Sequence, residues 1–409
     1  MDLTRHTKLF RPNDFDLIYY DFFEEIWDSG DAYADPSGWQ DTKASAAIHL
    51  PKIQIDEAAL GRYYLDEDKT LGSLKNEILK LVEFWENRSL AWEEMTLYNS
   101  VSTATAAVLI ALRRLGVKTI MFETPAYGVT VNQARHTGYK VVLLPTYYRD
   151  NFALSVDPDL MKSHRPLVFW LTQPRMSLGI NQEEGLVECL LDQLSEDDFL
   201  VIDEATEQQC PAVLSHLSGK AGYPRILRIR GLLKPMGLNG LRLSCVLHSE
   251  TLRVNLENAQ DVIGASLDLF SLQMAAELAQ KKDLFFMMLS VANEQVTSLR
   301  KKAEVLALDS GVKVSRLVNG YMGTVFIPFK GGRKKYRENR SKLLSYCRSR
   351  RMPVILGSHM MFAFDPEWEQ VRFNYFSRER HILRAMEVLT TFVLGADQQG
   401  DKNATQTVN

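Results

Sequence analysis

Between residues 96 and 247 the chain alternates two patterns, and this alternation limits the possible folds more than any other feature of the sequence. Short β-branched or apolar runs stand at 119–122, 140–145, 167–172, 199–203, 225–230 and 241–247. The stretches between them, such as 105–115 and 183–194, repeat apolar residues at helical spacing. Strands separated by helices pair in parallel, and a parallel sheet needs helices on both faces. The predicted fold class is therefore α/β, with a mainly parallel sheet in a large domain. Ligands on such sheets sit beyond the carboxyl ends of the strands, and Asp203 and Lys234 fall at or just past such ends.

A chain of 409 residues is long enough for one large core and a smaller domain. After residue 267 a helical pattern continues to about 308, the length of a helix joining two domains. Short strand patterns at 312–316, 324–328 and 371–375 then mix with helical ones around 340–350 and 378–394, predicting a small α+β domain. The expected organisation is an N-terminal segment, 1–61, packing with the small domain, a large domain, 62–295, the small domain, 296–394, and a polar, disordered tail, 395–409.

Composition removes several classes of function. With 45% hydrophobic residues, 24% charged residues and a net charge of −3, the chain reads as a soluble globular protein. No apolar run approaches the roughly 18–20 residues of a membrane span, so no membrane partner is expected. The first residues mix acids and bases around no apolar core, so no secretory signal is expected either. Cys189, Cys210, Cys245 and Cys347 stand far apart, and the eight histidines lack metal-ligand spacing. A disulfide scaffold and a bound metal both lose support, and the expected location is the cytoplasm. The stretch 330–351 holds ten basic residues and one acid, Glu338. Such a run suits an anionic partner, but the chain is slightly acidic and no nucleic-acid motif accompanies the run. A solvated helix face is the better reading, and no nucleic acid is expected.

The chemistry concentrates around one lysine. In Arg230-Gly-Leu-Leu-Lys234-Pro-Met-Gly237-Leu-Asn-Gly240-Leu-Arg242 an amine sits in a glycine-broken turn with an arginine eight residues on. Upstream, Phe199-Leu-Val-Ile-Asp203-Glu is an apolar run ending in a carboxylate. An amine able to form an imine, a cation for a phosphate and an acid for a pyridine nitrogen are what pyridoxal phosphate needs from a protein. With these residues and the order of the signals around them, the chain resembles fold-type I pyridoxal-phosphate enzymes, specifically the class I/II aminotransferase family.

The resemblance covers roughly residues 60–376 and implies a role for each motif. It implies a large domain with a seven-stranded, mainly parallel sheet and a small α+β domain. Lys234 matches the imine-forming lysine, Asp203 the aspartate paired with the pyridine nitrogen, and Arg242 the phosphate arginine. In Glu123-Thr-Pro125-Ala-Tyr127-Gly, Tyr127 matches the aromatic residue stacked on the cofactor. In Val101-Ser-Thr-Ala-Thr105, the amides of Ala104 and Thr105 and the hydroxyls of Ser102, Thr103 or Thr105 match the phosphate loop, at a helix N-terminus. The family usually carries glycine where Thr103 stands. Arg372, in Gln370-Val-Arg372-Phe, matches the arginine that grips a substrate α-carboxylate in a planar fork. Tyr63 or Tyr64 matches the tyrosine that reaches the neighbouring subunit's phosphate, which implies a homodimer with shared active sites.

Three positions depart from the family pattern. Met176 stands where an asparagine bonds the cofactor's phenolic oxygen, and Thr206 where a tyrosine donates to the same oxygen. Gly231 stands where a phosphate-binding serine is common. A thioether donates no hydrogen bond, so Arg175 or Gln173 is a candidate replacement donor. The function implied is a pyridoxal-phosphate-dependent enzyme acting on an amino acid through Lys234, an aminotransferase first of all. The departures keep open a lyase, decarboxylase, oxidase or cyclase of specialised metabolism, and a non-catalytic binding protein on the same scaffold.

Overall fold

The computed structural model describes residues 34–37, 50–53, 67–183, 185–217, 225–264 and 266–405. Helix α1 (Glu67–Glu86) leads into β1 (Met95–Tyr98), α2 (Val101–Arg114), β2 (Thr119–Glu123), α3 (Gly128–His136), β3 (Lys140–Leu144) and α4 (Pro158–Lys162). Then follow β4 (Leu167–Thr172), α5 (Leu186–Gln193), β5 (Phe199–Glu204), β6 (Ile226–Gly231) and β7 (Ser244–Leu247). These seven strands form one sheet in the order β1-β7-β6-β5-β4-β2-β3. Strands β2 to β6 run parallel, and β7 is antiparallel to both β6 and β1. The α/β class and the mainly parallel seven-stranded sheet are both as expected.

Alternation along each strand explains the two-sided cover. Phe122, Trp170, Val201, Leu227 and Ile229 face Ala104, Val108 and Leu112 of α2 and Leu256 and Ala259 of α6 (Arg253–Ile263). Their sequence neighbours Met121, Phe169, Leu200 and Ile202 face Val187 and Leu190 of α5. At the β1 edge, Leu97, Cys245 and Leu247 meet Ile78, Val82 and Trp85 of α1 and Leu272 and Ala275 of α7 (Leu269–Gln280). Because both faces are apolar, the sheet is anchored rigidly and its carboxyl ends are held in fixed positions.

One polar cluster interrupts this core. Arg228 and Arg230 share a face of β6, and both meet Glu204 at the end of β5 and Glu86 at the end of α1. Arg228 Nε and Nη2 both donate to Glu204, at 3.1 Å and 2.8 Å, and Arg230 Nη2 donates to Glu204 at 2.6 Å. All four side chains are buried. Burial works against the charge on Arg228, but the two carboxylates outweigh it and raise its pKa. Removing one charge from such a group leaves another buried without its counter-charge. We expect Glu204→Gln to lower stability by about 3 kcal/mol, read from the midpoint of urea unfolding at unchanged slope. A loss within the range of a surface substitution would show that the cluster contributes nothing.

The second unit is smaller. After α8 (Lys282–Ala307) come β8 (Lys313–Val314), β9 (Met322–Pro328), α9 (Gly332–Ser349), β10 (Trp368–Asn374) and α10 (Glu379–Thr405). The three strands form an antiparallel sheet in the order β10-β9-β8. The continuous helix expected over 267–308 is two helices, α7 and α8, broken at Lys281 with φ −105° and ψ 62°. Neither glycine nor proline marks the break. It lets α7 pack on α1 while α8 runs on from the large core, through Phe285 and Met288, into the small one, through Val296 and Leu299. The expected boundary at 295/296 thus falls inside α8, and α10 continues into the polar stretch 395–409 as far as Thr405. The basic run is largely α9, which turns Leu343 and Cys347 inward and leaves Lys334, Arg337 and Arg348 exposed.

Of the N-terminal segment, residues 34–37 lie along β10. Asn374 N–H donates to Pro36 O (2.7 Å), and Ser37 Oγ donates to Arg372 O (2.7 Å). Leu50 and Ile53 pack instead against the large-domain core.

Candidate active site

The carboxyl ends of β4, β5 and β6 stand side by side, and each is followed by a turn that carries a residue of interest. Asp203, at the end of β5, is buried, and its Oδ1 accepts the Ala205 N–H at 3.0 Å. Its backbone carbonyl accepts the Gln173 N–H at 2.8 Å, which locks the turn after β4 to it. Burial raises the Asp203 pKa, while the Ala205 amide and the Lys234 amine oppose the rise.

Strand β6 ends at Gly231, and a single 3-10 turn, Lys234–Met236, begins three residues on. Gly237 closes this turn in the left-handed region (φ 81°), with its N–H on Lys234 O at 3.0 Å. Only a residue without a Cβ takes that conformation at no steric cost, which explains the glycine of the motif. Burial lowers the Lys234 pKa and Arg372 lowers it further, with Asp203 acting in the opposite direction. An amine in this position keeps a larger neutral share near pH 7 than an ordinary lysine, which suits a nucleophile and a base.

Gly231 shows how tightly the parts converge. A Cβ at that position would stand 3.4 Å from Ala205 O, 3.5 Å from Lys234 Cβ and 3.5 Å from Val101 Cγ2. The lysine turn, the turn after Asp203 and the first residue of α2 therefore surround one point. Arg242 is exposed and stands two residues before β7, whose Ser244 pairs with Gly231.

The N-terminus of α2 differs in register from the expected phosphate loop. The helix starts at Val101 with Ser100 as its cap, and Ser100 Oγ accepts the Thr103 N–H at 3.1 Å. Thr103 Oγ1 accepts the Ser100 N–H and donates to Ser100 O, and the Ala104 N–H donates to Ser100 O at 2.9 Å. Thr103 and Ala104 are thus engaged within the cap, and Thr105 lies one turn inside the helix. Of the four amides that a helix start leaves without an internal acceptor, the Ser100–Thr103 cap takes up two, and those of Val101 and Ser102 take no part in it. A Ser/Thr-rich stretch hides this offset, because each hydroxyl in it is an equally good cap.

Tyr127 caps α3 and is 38% exposed. The small domain reaches it through the turn Gly357–Met360: the Ala126 N–H donates to Met360 O at 2.9 Å, and a Cβ on Gly128 would stand 2.7 Å from His359 O. Arg372 lies on β10 opposite Thr324, and its Nη2 donates to Ser37 O at 3.3 Å. Its charge acts on Lys234, so two residues 138 positions apart in sequence share one electrostatic neighbourhood. Tyr63 and Tyr64 lie outside the described residues.

Of the two candidate replacement donors, Gln173 is engaged elsewhere, and Arg175 is anchored elsewhere through Nε and Nη1, its buried Nη2 having no hydrogen-bond partner among the described residues. Arg175 Nε donates to Gln182 Oε1 at 3.1 Å, Nη1 donates to Phe152 O, and Glu123 lies 3.9 Å away. Gln173 Nε2 donates to Asn181 Oδ1 at 2.8 Å, and its Oε1 accepts the Gln182 N–H at 2.9 Å. Both side chains serve the buried polar network that shapes the 173–182 turn. Met176 and Thr206 are buried as well, Met176 in one apolar cluster with Leu178, Leu317 and Tyr321.

Tyr321 is the site residue that sequence patterns do not single out. Its hydroxyl is held well above its ordinary pKa by burial and by Asp203 and Tyr127, with Arg372 working the other way. It therefore belongs to the same neighbourhood as Asp203, Tyr127 and Arg372. The Gly320-Tyr321 pair just ahead of β9 is the only signal available in the sequence, and one glycine–aromatic pair is too common to identify a site.

No family model and no curated protein matches the sequence. Solved structures do. A double mutant of Thermus thermophilus aspartate aminotransferase superposes with a TM-score of 0.69 at 14% identity, covering 95% of this chain and 98% of that one. The aromatic aminotransferase of Pyrococcus horikoshii OT3 gives 0.67 at 16% identity, covering 93% and 99%. An Escherichia coli protein described as having a methionine aminotransferase function gives 0.67 at 13% identity, covering 91% and 96%. At these identities the likeness is one of fold, and it spans nearly the whole of each chain. The chain therefore has the fold-type I aminotransferase fold, with a seven-stranded large-domain sheet and a small α+β domain.

Proposed function

We propose that this protein is a pyridoxal-phosphate-dependent enzyme acting on an amino acid, with transamination as its reaction. The observation that carries this reading is the pair formed by buried Asp203 and half-buried Lys234, whose charges act on each other while Arg372 acts on the same amine. The residues present fit the cofactor. A buried carboxylate and an amine whose pKa is lowered act on each other, the first residue of α2 meets the lysine turn at Gly231, and the Tyr127 side chain shares the Tyr321 hydroxyl's neighbourhood with Asp203.

Pyridoxal phosphate supplies an aldehyde for an amine and a ring that draws electrons from the substrate's Cα. With its pKa lowered, the Lys234 amine would join that aldehyde and carry a proton to and from Cα. Asp203 holds a proton on the ring nitrogen. The Val101 and Ser102 amides and Arg242 would bind its phosphate, and Tyr127 would border its ring. Arg372 orients the substrate through its α-carboxylate. The shared-site arrangement of the resembling family makes the working unit a homodimer, with Tyr64 reaching the partner's phosphate. Met176 and Thr206 support a second reading, a lyase, decarboxylase, oxidase or cyclase on the same cofactor, because the usual donors to the phenolic oxygen are changed.

The test is to add pyridoxal phosphate to the purified protein, record the visible spectrum, and then offer amino acids one at a time. A visible band that an amino acid converts to an ultraviolet one, with release of the matching 2-oxo acid, supports transamination. Release of carbon dioxide, ammonia or peroxide supports the second reading, and absence of any band removes both.

Arg372→Lys checks the substrate assignment. A guanidinium fork makes two parallel charge-assisted bonds to a carboxylate, which an ammonium does not reproduce. We expect the KM for amino acids to rise on the order of tenfold or more and kcat to fall, while cofactor affinity changes little. Unchanged amino-acid affinity would point to a substrate whose carboxylate is absent or masked.

A further inference from the structure

Tyr321 enters the site on a loop that requires a glycine. Gly320 has φ +71°, and a Cβ there would stand 2.8 Å from Thr206 O and 2.9 Å from Pro174 Cγ. A side chain at 320 would hold the loop away from the two turns that follow β4 and β5. The loop is fixed on either side of this approach. The Asn319 N–H donates to Gly179 O at 3.0 Å, and Tyr321 O accepts the Tyr375 N–H at 2.8 Å. The ring is fully buried and stacks on Phe376 with centroids 4.4 Å apart and planes inclined by 20°. Backbone and ring are thus both held, beside the turns after β4 and β5 and in one apolar cluster with Met176.

We propose that Tyr321 is a cofactor-binding hydroxyl, which donates to the phenolic oxygen of pyridoxal phosphate and so takes the place of the donors that the resembling family carries at positions 176 and 206. The inference rests on the cofactor reading above. A thioether at 176 has no proton to give, Gln173 is committed to the network under the 173–182 turn, and Arg175 is anchored in the same network through Nε and Nη1. The neighbours of the Tyr321 hydroxyl match the role, since Asp203, Tyr127 and Arg372 all act on it. Burial and the first two of these keep the phenol protonated well beyond neutral pH, so that it serves as a donor throughout the working range.

Tyr321→Phe removes one oxygen and keeps the stack on Phe376. Without the donor the phenolic oxygen becomes more basic, and the proton shared with Lys234 is held more firmly. The pH midpoint of the bound cofactor's visible band should then rise by about one unit or more. Adding Thr206→Tyr, which restores a donor from the other side, should bring the midpoint back down. A merely structural role for Tyr321 would change the thermal unfolding temperature and leave the midpoint where it is. An unchanged midpoint in a folded Tyr321→Phe protein that still shows the band overturns the proposal. If Tyr321→Phe does not fold, 3-fluorotyrosine at position 321 provides the check. Its more acidic phenol donates more strongly and should lower the midpoint, and a midpoint that fails to fall overturns the proposal equally. A wild-type protein with no visible band at all is a different failure, which removes the cofactor reading and this inference with it.

Discussion

Lys234→Ala should bring turnover below detection and abolish the visible absorption of the protein with pyridoxal phosphate. This expectation follows from the geometry of one turn. Gly231 ends the strand, Gly237 closes the 3-10 turn, and the amine between them is withdrawn from water while Arg372 disfavours its charge. A lysine in a glycine turn is ordinarily solvated and protonated, whereas this one has burial and a nearby cation shifting it toward the neutral amine that reacts with aldehydes. Borohydride should fix the cofactor on the peptide that contains Lys234, and mass spectrometry of the digest reads this directly. Label on another lysine, or a band that survives in Lys234→Ala, would contradict the assignment. Lys234→Arg is the useful companion, since it keeps a cation beside Asp203 without supplying a nucleophile. It should be as inactive as the alanine variant while retaining more of the fold's stability.

The parts of this fold legible in the sequence are those set by local periodicity. Strand β4 stands at the predicted bounds, and β2, β3, β5 and β6 differ by a residue or so at one or both ends, because each is a compact run rich in apolar residues, alternating in β6 with the buried Arg228 and Arg230. Strand β1 is not among the predicted runs. It is four residues long with Thr96 in the middle, and what makes it a strand is its pairing with β7, some 150 positions away. The break at Lys281 has the same character. Its sequence is locally compatible with helix, and the two helices part because they pack on different cores. Lys234, Asp203 and Arg372 are singled out in the sequence because each occupies a fixed register within a motif, and in the structure Asp203 and Arg372 both act on the Lys234 amine. The helix start at Val101 was not readable, since several hydroxyls in a row compete to cap it. Tyr321 was least readable of all. Its place depends on Gly320 meeting Thr206, a contact between residues 114 positions apart.

Asp203→Asn should lower kcat about a thousandfold or more, on the order of 4 kcal/mol in the barrier, with pyridoxal phosphate still bound. The substitution nearly preserves shape, and an amide oxygen can still accept the Ala205 N–H that now bonds Oδ1. What disappears is the charge. A carboxylate beside the ring nitrogen favours its protonated form, and a neutral amide does not. The same change acts on Lys234, whose pKa Asp203 supports against burial and Arg372. In Asp203→Asn protein without cofactor, the amine should therefore titrate at lower pH than in the wild type and react faster with a small aldehyde near neutrality. The two readouts move in opposite directions, with lysine reactivity up and turnover down, and mere destabilisation of the fold would depress both. Near-normal turnover in Asp203→Asn would mean that the ring nitrogen needs no charge from the protein, and that Asp203 serves only to position the turn after β5.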